Sequence, residues 1–118
     1  MKYMLLIYMD ENGLTQAERD KCYAESTQYA HLLNAKGQFL ATAPLHPTST
    51  ATSVRVRDGK RLVTDGPFAE TREQLGGFLL IDAKNLDEAI DIAGQIPAGR
   101  WGTVEIRPVV EIPGLPEN

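Results

Sequence analysis

The residue types best suited to chemistry gather in one stretch, Val63-Thr64-Asp65-Gly66-Pro67-Phe68-Ala69-Glu70-Thr71-Arg72-Glu73-Gln74. Asp65 opens a turn. Gly66 accepts a positive φ, and Pro67 fixes its own φ and disfavours the helical region for the residue before it. A carboxylate at such a turn, beside an apolar strand, can serve as general acid or base if its surroundings lift its pKa. It can equally cap its own turn through an Asx-type bond to backbone N–H groups. Glu70 and Glu73, with Arg72 between them, form either a second carboxylate pair or a solvated charged loop.

Arg55 and Arg57 have the donor geometry to hold an anionic substrate, or to pair with cross-strand carboxylates. His46, lying between Pro44 and Pro47, is a candidate proton shuttle at neutral pH. It and His31 fit the surface equally well. Two histidines without a Cys or Asp at ligand spacing do not make a metal site. The chain also lacks a phosphate-binding glycine loop and a serine elbow, so neither metal nor cofactor is expected. Cys22, on a helical apolar stripe, reads as a small hydrophobe.

The elements that must position these groups follow from periodicity. Residues 3–9 are apolar at both parities, which predicts a strand covered on both faces. Thr15 and Glu18 have capping-box spacing and open a helix that Gly37 closes. Its stripe is Cys22, Ser26, Tyr29, Ala30 and Leu33, with Ser26 the one hydroxyl-only member among apolar neighbours and a tyrosine. Residues 38–45 form a second strand. Asp58-Gly59 marks a hairpin between residues 50–57 and 61–64, with Val54 and Val56 on one face and Arg55 and Arg57 on the other. Residues 75–82 form a central strand in which Gly76 and Gly77 allow close backbone approach. Asn85 and Glu88 suggest another capping box, opening a helix with the stripe Leu86, Ala89, Ile90, Ala93 and Ile96 that Pro97 stops. A loop over residues 97–102 and a last strand over 103–109 complete the order, with a frayed tail over 111–118.

The order strand, helix, strands, helix, strand is α+β. Two helices cover only one face of such a sheet, yet residues 3–9 and 75–81 are apolar on both. A second copy is therefore expected to cover the other face. At 118 residues the chain is a single domain. Its net charge of -4 is interspersed, with no basic stripe, so direct nucleic-acid binding is not expected. A single cysteine excludes an internal disulfide and suggests a reducing compartment. Residues 3–9 are too short for a signal peptide or a bilayer span, so the cytoplasm is expected, away from membranes.

The run from Val63 to Phe78, with its Asp65-Gly66-Pro67-Phe68 core, resembles the signature of the YCII-related family, in the branch named after that motif. The opening Met1-Lys2-Tyr3-Met4-Leu5-Leu6-Ile7-Tyr8 and the closing Val104-Glu105-Ile106-Arg107-Pro108-Val109 fit the same pattern. The resemblance implies a ferredoxin-like β-α-β-β-α-β unit, here with an extra hairpin, that dimerises into an α/β barrel. It also implies that Asp65, Gly66, Pro67 and Phe68 line a cleft between the first helix and the sheet. Family enzymes carry a histidine on the first helix and an aspartate before a proline after the second. Anchored on Gly37 and Pro97, those positions are Ser26 and Ile96 here, and neither does the acid–base work of a His–Asp pair.

Two functions stand side by side. One is a non-catalytic binding or regulatory module with a small-molecule pocket, of the kind the resemblance associates with extracytoplasmic-function sigma factors. The other is an enzyme of lyase, hydrolase or isomerase type, acting on a small polar or aromatic substrate. It would use Asp65 as acid or base and an arginine as anion holder. The absent His–Asp pair favours the first. Pocket residues expected in either case are Ser26, His46, Arg55, Gly66, Pro67, Phe68 and Glu70.

Overall fold

The structure, a computed structural model, describes residues 1–116. Its core is a four-stranded antiparallel sheet in the order β2-β5-β1-β6, built from Phe39–Pro44, Gln74–Asp82, Lys2–Met9 and Gly102–Pro108. Two helices, α1 over Gln16–Ala35 and α2 over Leu86–Ala93, pack on one face. This is the ferredoxin-like order. Between β2 and β5 the chain makes a separate two-stranded hairpin, β3 (Thr52–Arg57) and β4 (Lys60–Asp65).

The strand β1 pairs on both sides, with β5 and with β6. Its alternation divides the molecule. Tyr3 and Leu5 are buried beneath the helices with Leu79 and Ile81, and Ile7 and Met9 pack against that core. Met4, Leu6 and Tyr8 turn the other way, with Phe78, Leu80, Ala41 and Ala43 from the strands alongside. All of these outer residues are only partly buried, because no layer of the same chain covers them. The periodicity of residues 3–9 is met on the helix side, and the open outer face is the surface a second layer would have to fill.

Helix α1 begins as its sequence dictates. Thr15 Oγ1 accepts from the Glu18 N–H at 3.1 Å, and Glu18 Oε1 accepts from the Thr15 N–H at 3.0 Å. These bonds hold the Glu18 carboxyl below its usual range, first through the Thr15 backbone and then through its hydroxyl. At the other end Gly37 has a φ of 72°. The Gln38 N–H reaches Leu33 O and the Gly37 N–H reaches Asn34 O, the two bonds of a Schellman cap.

Helix α2 departs from expectation. Asn85 Oδ1 accepts from the Glu88 N–H, but the Glu88 carboxylate turns to Gln38 and to the Lys84 N–H, so the capping box is only half made. The buried stripe is Ala89, Ile92, Ala93 and Ile96; Leu86 and Ile90 are exposed. The helix is too short for the core to reach its first turn, and it ends at the Gly94 cap before Pro97. Pro97 instead starts a 3-10 turn, Pro97–Arg100, where the sequence suggested a plain loop. A second 3-10 turn, Thr48–Thr50, leads into the hairpin.

Only one of the two expected close approaches in β5 is tight. An added Cβ at Gly77 would meet Ala43 O at 2.9 Å and Pro44 Cα at 3.3 Å, both backbone atoms that cannot swing away. Gly76 has room and serves instead as the extra residue of a bulge between the Ile7–Gly77 and Tyr8–Leu75 pairs. Gly102 is tighter still, against the Tyr8 carbonyl. Gly77→Ala and Gly102→Ala should each lower stability by about 2 kcal/mol or more, with Gly76→Ala much milder. Urea unfolding of the three variants checks the order.

Candidate functional site

A narrow cleft of about 40 Å³ lies between α1 and the sheet, lined by Ile7, Ser26, Tyr29, Thr42, Leu79, Ile96 and neighbouring small residues. Ser26 and Ile96, the positions at which the resemblance would put an acid–base pair, both line it. Its polar groups are hydroxyls. Thr42 donates to Phe78 O at 2.7 Å and Tyr29 donates to Ile92 O at 2.8 Å, tying α1 to the end of α2. Ser26 makes no side-chain hydrogen bond among the described residues, and is the lining group free to meet a ligand. Burial raises the Tyr29 phenol above its usual pKa. No carboxylate, imidazole or ammonium lines the cleft. It is sized for a water or two, whereas an engineered cavity that takes benzene measures roughly 150 Å³. A ring-sized guest would have to move α1.

The other residues singled out in the sequence sit elsewhere. Asp65, Gly66, Pro67, Phe68 and Arg55 collect at the root of the hairpin and are not among the lining residues. The expectation that Asp65 and Phe68 border the cleft is not met within one chain, because the hairpin stays out in solvent instead of folding over α1. Gly66 adopts a φ of 110°, as its turn requires. The turn is held by the Gly66 N–H on Ala51 O at 2.8 Å and by the Ser53 hydroxyl on Gly66 O at 2.7 Å. The Asp65 side chain is exposed and takes no hydrogen bond among the described residues, so the Ala51 carbonyl and the Ser53 hydroxyl hold the turn in place of an Asx-type cap.

Phe68 is 81% exposed, its ring 5.5 Å from the Arg55 guanidinium. Glu70 and His46 are exposed as well. Arg55 and Arg57 stand opposite Leu62 and Lys60, so cross-strand carboxylates are not their partners. Arg72 reaches Asp10 at 3.7 Å, and Glu73 accepts from the Thr103 hydroxyl at 2.8 Å, which leaves the Glu70–Glu73 pair divided. Among the described residues no group of three His, Cys, Asp or Glu is placed to hold a metal ion.

A second hollow was not legible in the sequence. About 390 Å³ of open groove runs between α2 and β6, lined by Ile90, Ala93, Ile96, Arg100, Val104 and Ile106 among others. Arg100 at its margin bonds Glu25 Oε2 at 2.8 Å and stacks on Trp101 at 4.8 Å. The exposed Ile90 was its one signal, and the helical stripe had assigned that residue to the core.

Because the folded Tyr29 pKa is raised, the protein binds this proton more tightly folded than unfolded. That share of stability is complete below the unfolded tyrosine value near 10 and is lost as pH climbs through the folded value. Tyr29→Phe should therefore melt at lower temperature than the wild type near neutrality, by about 1 kcal/mol for the missing bond to Ile92 O. It should also show a smaller loss of stability in alkaline melts. Equal alkaline losses in the two proteins would contradict the raised pKa of the partly buried phenol.

No helix among the described residues is long and apolar enough to cross a membrane. In architecture the chain is similar to a 5-chloro-2-hydroxyhydroquinone dehydrochlorinase (TftG) from Burkholderia phenoliruptrix, solved in complex with 2,5-dihydroxybenzoquinone. The TM-score is 0.55 over 93% of this chain and 94% of that one, at 18% identity, a likeness of fold. In sequence it is 36% identical over 114 residues to an uncharacterised protein of Rhizobium meliloti (strain 1021), covering 92% of each chain. The YCII-related domain matches residues 1–113, and with that match the chain belongs to the YCII-related family.

Proposed function

We propose that this protein is a cytoplasmic homodimer that binds a small molecule in the cleft beside Ser26 and does no acid–base chemistry there. The observation that carries the reading is the cleft's lining: three hydroxyl-bearing side chains among apolar ones, and no group that titrates near neutral pH. Once α1 shifts to widen the cleft, such a lining suits a small hydroxylated or carbonyl-bearing ring, the class to which the dehydrochlorinase's bound 2,5-dihydroxybenzoquinone belongs. Association through the open sheet face, closing a dimeric α/β barrel, supplies the missing second layer. A regulatory use of that binding, with an extracytoplasmic-function sigma factor in the same circuit, follows the branch that the Asp65-Gly66-Pro67-Phe68 motif resembles.

Two substitutions on β1 and β5 separate dimer from fold. Leu6, on the outer face, replaced by Lys should give a folded monomer of about 13 kDa at micromolar concentration by light scattering. Leu79, 5% exposed beneath the helices, replaced by Lys should unfold the chain, at a cost of about 3 kcal/mol or more for an unpaired buried charge. A wild-type monomer would overturn the dimer.

Calorimetric titration with 2,5-dihydroxybenzoquinone tests the cleft. Ser26→Leu should weaken binding by about tenfold or more by filling the cleft and removing its free hydroxyl, while Asp65→Asn should bind as the wild type does. Turnover of the probe by the wild type that fell about 100-fold in Asp65→Asn, with binding intact, would establish the enzyme reading instead.

A further inference from the structure

The hairpin β3–β4 is an arm without a floor. Every residue from 54 to 65 is exposed, and Val54, Val56 and Val63 are each more than half so, at 58%, 62% and 60%. The radius of gyration, 16.0 Å, exceeds the roughly 13.5 Å expected of a compact chain of this length. An isolated two-stranded ribbon is marginal in water at best, and becomes stable when its apolar face packs on something.

Register fixes what each face carries. Val54 stands opposite Val63, Val56 opposite Arg61, and Thr52 opposite Asp65, so one face presents three valines with Arg61 towards the tip and Thr52 and Asp65 at the root. The other presents Arg55, Arg57, Lys60 and Leu62. From Thr52 to Asp65 the arm has four cations (Arg55, Arg57, Lys60, Arg61) and two anions (Asp58, Asp65), a net of +2. With -4 for the whole chain, the remainder carries -4 - 2 = -6. None of the four cations meets a carboxylate within its own chain among the described residues.

A complementary surface exists on the outer sheet face. There Met4, Leu6 and Tyr8 adjoin Arg107, Glu105 and Thr103, which stand opposite them on β6. Glu105 accepts from the Tyr8 hydroxyl at 3.4 Å and Glu73 from Thr103, and neither glutamate has a cationic partner among the described residues. An apolar strip edged by Glu105 and Arg107 meets, in this pairing, a valine face with Arg61 towards its tip and Asp65 at its root.

We propose that the arm of one protomer docks on a second copy of this chain, its Val54–Val56–Val63 face on the border of the outer sheet and Arg61 against Glu105. This rests on the dimer proposed above and adds a second contact to it: sheet meets sheet at Leu6 and Leu80, and each arm clasps the other copy at the β6 edge. Nucleic acid, the usual partner of a basic ribbon, fits the valine face poorly, since phosphates give it nothing to bury against.

Sedimentation equilibrium on the full chain tests this, with circular dichroism to verify folding. Arg61→Glu and Glu105→Arg should each raise the dimer dissociation constant by about tenfold, and the double variant should return to within about threefold of wild type. Val54→Asp should weaken the dimer as strongly and lose amide-exchange protection along the arm. Single variants that dimerise as the wild type does, while Leu6→Lys is monomeric, would overturn the arm contact and leave the sheet-face dimer standing. A double variant weaker than both singles would also overturn it, as would arm amides protected only after duplex DNA is added. A monomeric wild type would overturn both contacts.

Discussion

Everything in this fold depends on one strand having neighbours on both edges and a cover on only one face. Because β1 is paired on each side, its backbone is satisfied throughout, and what remains to be settled is where its side chains go. The helices claim Tyr3 and Leu5 completely. The alternate residues Met4, Leu6 and Tyr8 are then left partly exposed by geometry, since a period of two cannot put both sets on the same side. The open face is thus a direct consequence of having only two helices.

The cleft depends on the same arrangement seen from the other side. Where α1 crosses the sheet, the small residues Ser26 and Ala30 leave it standing slightly off Ile7 and Leu79, and the gap between them is the hollow. The bond from Tyr29 to Ile92 O ties α1 to the end of α2 beside the hollow. The chemistry available follows from the residue types at these few places. At the two positions where the resemblance would set imidazole and carboxylate, this chain has a hydroxyl and a branched alkyl group.

Much of the architecture was legible. The Thr15–Glu18 box, Gly37 and the Asp58-Gly59 turn each have a local mechanism that does not depend on the rest of the chain, and all three stand as read. Ser26, which the resemblance puts at the family's helix-histidine position, lines the cleft. What the sequence hid was set by distance. Which turn of α2 reaches the core depends on how far the helix extends over the sheet, so Ile92 and Ile90 exchanged roles. Likewise, no periodicity tells whether a hairpin folds back or stands away, and so the root of the arm could not be placed against the cleft. Gly77 announced its close contact, but the bulge at Gly76 arose from pairing with a strand some seventy residues away, beyond any local signal.

The tip of the arm, Asp58 at φ 52° and Gly59 at φ 72°, has one further meaning. A two-residue turn of this handedness suits the twist of its flanking strands only when they end in register. Insertion or deletion of matched pairs preserves it; a single extra residue forces a bulge and turns one strand's side chains over. Since within its own chain the arm's neighbours are solvent and its own opposite strand, such paired changes leave that chain's sheet and helices untouched. Reach is consequently a dimension in which this lineage can vary in quantised steps, at almost no expense to the stability of the domain that carries it.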